Sequence, residues 1–140
     1  MASTTTRTYA PSSTASSLRT RALAVAAAVV ANVALWVIEV PLLGLHLDIR
    51  FGSGASQTIA VGFVIGATLS ASLVGWALLA VLEHRTANAR TVWTAVAVVA
   101  LIASLSLPLY AGIAGSTKVG LAAMHLAAGA ILITALRRPR

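Results

Sequence analysis

Residues 22–44, ALAVAAAVVANVALWVIEVPLLG, form an apolar run long enough to cross a bilayer, yet they carry Asn32 and Glu39 inside it. About twenty apolar residues at the rise of an α-helix match the hydrocarbon layer, where every backbone amide must find its partner within its own segment. The run predicts a transmembrane helix. Three more follow at 59–82, 92–112 and 119–136. The polar connections EHRTANAR (83–90) and AGSTK (114–118) are short, which makes successive helices antiparallel neighbours. The expected fold is an all-α membrane protein, an antiparallel four-helix transmembrane bundle.

With 59% hydrophobic and 9% charged residues, the chain has too little charge to cover a water-soluble surface. It has no cysteine, which removes disulfide frameworks, thiolate metal sites and thiol redox chemistry. The net charge of +7 does not read as a nucleic-acid face, because the bases sit at the edges of apolar segments without interleaved aromatics. They read instead as topology signals and contacts to anionic lipid headgroups. Arg7, Arg19, Arg21, Arg85, Arg90, Arg137, Arg138 and Arg140 fall on one side of the four spans, Arg50 and Lys118 on the other. That asymmetry predicts a multi-pass plasma-membrane protein with both termini in the cytoplasm.

Residues 1–17, rich in Ser, Thr and Ala, have no apolar period and predict a disordered cytoplasmic tail before a transmembrane domain at 18–140. Arg19 and Arg21 resemble the basic start of a signal peptide. The apolar run after them is about twice the usual length, however, and no small-x-small site follows, so the helix should be retained.

Pro41 removes a donor near the end of the first span, and Gly44 offers a stop, so a kink or end is expected there. Pro108 does the same to the carbonyl of Ser104 in the third span. Between the first two spans, residues 46–51 alternate, with His46, Asp48 and Arg50 on one side and Leu47, Ile49 and Phe51 on the other. This is the period of a half-buried strand, and the GSG that follows is a turn, so the loop through Gln57 should fold over the outer mouth of the bundle. Gly62, Gly66 and Ser70 recur every fourth residue in the second span, a spacing that lets helices approach closely in lipid and offers a surface for a homo-oligomer.

Ionisable groups inside spans are expensive and mark candidate sites. Glu39 and His125 qualify, and in an antiparallel bundle they lie at similar depth. Val25, Ala28, Asn32 and Glu39 share one stripe, with Trp36 between the last two, while Ala122, His125 and Gly129 form a small-residue stripe on the fourth helix. The candidate polar site is therefore Glu39, His125, Asn32, Trp36 and Ser104. One use for it is interhelical hydrogen bonding that holds the bundle together; the other is proton or cation binding at Glu39. His46, Asp48 and His125 lack metal-ligand spacing, so no metal or other cofactor is expected. The sequence has no GxSxG, a single Asp and no phosphate-binding motif, so no enzyme is expected.

WVIEVPLLG, FGSGASQT, GWALLAVLEHR, RTVWTAVA, SLSLPL and MHLAAGAILITALRR together resemble a family of uncharacterised four-helix membrane proteins of high-GC bacteria. The resemblance runs from about Arg21 to Arg138 and implies four spans with cytoplasmic ends; it implies no activity. The chain is also similar to small multidrug transporters in size, helix count and a lone glutamate in the first helix, although Glu39 sits nearer the outer end. The expected role is that of a structural or accessory membrane protein. A small proton-coupled carrier or ligand sensor is the alternative.

Overall fold

The computed structural model describes residues 13–137. In chain order the elements are α1 (Ser13–Val37) with a π-turn (Ile38–Leu42), β1 (Asp48–Ile49), β2 (Gln57–Thr58), α2 (Val61–Arg85), α3 (Ala89–Ser104), α4 (Ser106–Ala111) and α5 (Gly115–Leu136). Among the described residues, four stretches are long and apolar enough to cross a membrane: Leu18–Leu42, Val61–Arg85, Ala89–Ala111 and Gly115–Leu136. The third is α3 and α4 together. Of the expected tail, residues 13–17 are helical and begin α1, and residues 1–12 lie outside the described residues.

The helices form a ring. α1 packs along α2 and α5, α3 also packs on α2 and α5, and α2 and α5 meet only slightly across the middle. Two apolar cores result, one around Leu47, Ile49, Ile59, Val64 and Met124, the other around Ala24, Leu79, Trp93 and Leu136. Outside, large apolar side chains such as Val30, Val74, Val99, Ile102 and Val119 stand exposed on every spanning segment. Such a surface requires an apolar solvent around it.

Pro41 and Pro108 both mark breaks. Pro41 has no N–H to give to Val37, and the chain widens into the π-turn, where the Leu43 amide reaches back five residues to the Ile38 carbonyl at 2.9 Å. Gly44, at φ +65°, then turns the chain away. Pro108 is the third residue of α4, where a helical N–H has no intrahelical partner to lose.

The alternating segment after α1 becomes a cap. β1 pairs antiparallel with β2 in the register Asp48–Thr58 and Ile49–Gln57. On its other side the Arg50 amide donates to the Ala111 carbonyl at 2.8 Å, and the Ile113 amide donates to Asp48 at 3.1 Å. Leu47 and Ile49 point into the core, while His46 and Arg50 are exposed. Phe51, expected on the buried side, is exposed because the hairpin turn begins there, with Gly52 at φ +56°.

At the opposite end, one guanidinium nitrogen of Arg21 lies 2.7 and 2.6 Å from the two carboxylate oxygens of Glu83. Arg90 stands 3.4 Å from the same carboxylate and donates to the Leu136 carbonyl at 3.3 Å. The sequence marks Arg21 only as a topology signal. An antiparallel pair, however, puts the start of α1 level with the end of α2, so a buried Arg21 has an acid within reach.

The small-residue stripe of α2 does not pack against another helix of the same chain. Gly62, Gly66 and Ser70 are exposed, and a β-carbon on either glycine would meet nothing within 4 Å. The inward face of α2 is Val64, Thr68, Ser72 and Leu79. Close approach is supplied elsewhere: a β-carbon at Gly129 would come within 2.6 Å of Leu101, and one at Gly120 within 2.6 Å of Glu39.

Candidate functional site

The buried stripe of α1 carries two polar residues into the bundle. Val25, Ala28, Asn32 and Glu39 are all buried, at 7%, 0%, 5% and 7% exposure. Glu39 belongs to the π-turn rather than to regular α-helix, beside the proline that causes it. Its carboxylate lies against Gly120 of α5, the one residue type whose missing side chain leaves room for it. Oε2 is buried without a hydrogen-bond partner. Among the described residues neither ion pair involves Glu39, although Lys118 lies two residues before Gly120 on the same helix.

His125 is placed elsewhere. The fully buried positions of α5 are Thr117, Gly120, Met124 and Leu136, whereas Ala122, His125 and Gly129 are half-buried. The inward stripe is thus rotated from the one the sequence led us to expect, and His125 turns toward α2. Its Nδ1 lies 2.7 Å from the Leu121 carbonyl, which can only accept, so Nδ1 carries the proton in that bond. His125 shares a crevice with Asn32, Thr68 and Met124. Glu39 does not line it.

Asn32 donates through Nδ2 to Thr68 Oγ1 at 2.9 Å, and its Oδ1 is buried without a partner. Trp36 donates its indole N–H to the Ile59 carbonyl at 3.0 Å, tying α1 to the residue just after β2. Ser104 bonds its own helix at Leu101, 2.7 Å away, and joins neither Glu39 nor His125. The expected five-residue site is therefore divided: Glu39 packs against Gly120, Asn32 and His125 share the crevice, Trp36 braces the cap, and Ser104 stands apart.

The outer-loop candidates serve the cap. Thr58 donates to Asp48 Oδ1 at 2.6 Å, the His46 carbonyl accepts from buried Thr117 at 2.8 Å, Gln57 pairs through its backbone and Arg50 through its amide. Among the described residues no three metal-ligating side chains gather. The residues that sequence reasoning missed are Gly120, Thr68 and Thr117. Thr68 had one available signal, because it lies four residues after buried Val64.

A family of unknown function, DUF6069, has a model that matches residues 12–140. The chain belongs to this family. No curated protein and no solved structure matches the chain. The DUF6069 match takes in all four spanning helices, the cap and the Arg21–Glu83 pair, so the buried Glu39 lies inside the matched unit.

Proposed function

We propose that this DUF6069 protein is a non-enzymatic, multi-pass protein of the plasma membrane that works as a small carrier or sensor, with the Glu39 carboxyl as its protonatable group. The observation that carries the reading is the carboxylate itself, buried against Gly120 with Oε2 unpartnered. A polar group kept for bundle stability is paired, as the Trp36 indole is to the Ile59 carbonyl, whereas a buried carboxyl oxygen without a donor costs stability and needs another reason to be there. The distribution of bases supports the orientation: Arg19, Arg21, Arg85, Arg90 and Arg137 lie at the end opposite the cap, and this end faces the cytoplasm. The cap and Glu39 then belong to the outer leaflet. Anionic headgroups are the natural partners of the basic end.

A structural or accessory role is the second reading. It is favoured by the tie between helices at Arg21–Glu83 and the tie from α1 to the cap at Trp36–Ile59, which make a firmly braced bundle.

Infrared titration in proteoliposomes separates the two. The chain has only three Asp and Glu side chains, so the carboxyl band of one residue can be assigned by substitution. The carrier or sensor reading expects a pH-dependent band that Glu39→Gln removes, with thermal stability unchanged or raised. A Glu39→Gln protein that melts lower and keeps every band of the wild type overturns it.

A further inference from the structure

The cap is rooted in the same few residues that hold the Glu39 carboxyl. The Leu45 amide donates to the backbone carbonyl of Glu39 itself at 2.9 Å, and the Gly44 amide donates to that of Val40 at 3.0 Å. The next residue of the cap, His46, accepts through its carbonyl from the Thr117 hydroxyl at 2.8 Å. Thr117 is fully buried and stands three residues before Gly120, so the two share one face of α5. On α1 the cap therefore hangs from the residue whose carboxyl is docked, and on α5 from a residue one turn ahead of the glycine that receives it. Gly44, at φ +65°, is the bend between the π-turn and the cap.

The docked position offers a charged carboxylate nothing. The carboxyl fills the space that a β-carbon would take at Gly120, and Oε2 is occluded and without a donor. Titratable and charged groups on the neighbouring elements are turned to other uses: the Lys118 stem lies over Gly112, Asp48 accepts from Thr58, and His46, Arg50 and Tyr110 are exposed. Among the described residues none of them is ion-paired with Glu39. A buried charge with no partner is expensive. To reach water the carboxylate must leave the socket or part α1 from α5, and either movement pulls on the two bonds at the root of the cap.

We propose that the cap is a lid latched by the Glu39 proton. With the carboxyl neutral and docked on Gly120 the root is held; when the proton passes to water, the carboxylate leaves the socket and residues 43–49 loosen from α1 and α5. The far edge, pinned from Arg50 to Ala111 and from Ile113 to Asp48, is the side on which the lid turns. This rests on the reading of Glu39 as the protonatable group and names what its titration moves.

Hydrogen exchange of the wild-type protein in lipid nanodiscs tests the latch, read as protection of residues 43–49 relative to the intrinsic amide rate at each pH and set beside the infrared titration of the same sample. As the carboxyl band that Glu39→Gln removes gives way to carboxylate, this protection should fall about three- to tenfold, the value of one net hydrogen bond, while that of α3 stays level. Glu39→Gln keeps a neutral group of the same shape in the socket and should hold the protection high at every pH. If that variant does not fold, the wild-type band and protection still decide between the outcomes. A band that titrates while protection stays level overturns the latch and leaves the carrier or sensor reading standing; a band that never titrates removes both. A fall that persists in Glu39→Gln assigns the movement to another group, His46 first, and overturns the latch as well.

Discussion

Gly120→Ala is the sharpest probe of how Glu39 is held. A β-carbon at that position would stand 2.6 Å from Glu39 Oε2, 3.0 Å from Cδ and 3.2 Å from Oε1, all inside normal contact. Relieving such overlap in a packed interior costs about 1–3 kcal/mol. Against this, replacing a helical glycine by alanine gains about 1 kcal/mol of helix propensity. In the wild-type background the two nearly offset, for a net loss of about 0–2 kcal/mol. In a Glu39→Ala background the overlap is gone, so Gly120→Ala should stabilise by about 1 kcal/mol. The sign inverts. Equilibrium unfolding in mixed micelles of the wild type, both single variants and the double variant gives the coupling directly, expected at about 1–3 kcal/mol. A coupling below about 0.5 kcal/mol, the usual error of additivity, would mean that the carboxylate does not rest on Gly120.

The remaining expectations concern the two ends of the bundle. Glu83→Leu strands the buried Arg21 guanidinium and should destabilise by about 1–3 kcal/mol, the range for hydrogen bonds to charged groups, whereas Arg21→Leu with Glu83→Leu should cost less than Glu83→Leu alone; equal losses in the same unfolding assay would show the pair to be inert. Because the chain has no cysteine, a single Ser53→Cys in the hairpin turn should react with an impermeant maleimide from outside intact cells, while Ala87→Cys should react only after permeabilisation. The reverse pattern would invert the orientation.

The spans were legible because uninterrupted apolar runs admit few alternatives, and the inward stripe of α1 was legible because Asn32 and Glu39 mark one side of an otherwise uniform helix. Helix α5 has no such marker. Small and apolar residues surround it on every side, so no amphipathic contrast says which face turns inward, and His125 shares its crevice with Asn32 while Glu39 lies outside it. The Gly62, Gly66 and Ser70 spacing finds no partner within the chain, because lipid tolerates small residues on a helix surface as readily as a neighbouring helix does and the spacing permits contact without requiring it. Thr117 and Arg21 depended on partners far along the chain, which only the assembled ring brings near.

The cap does more than cover one end. Its bonds from Arg50 to Ala111 and from Ile113 to Asp48 join the two helical hairpins, and Arg21, Glu83 and Arg90 join the same hairpins at the other end. Mechanically the molecule is a frame pinned at both ends, with α2 and α5 scarcely touching across it. Thermal bowing of these helices will therefore be greatest between the pins, and a molecule wedged there would stiffen the whole frame.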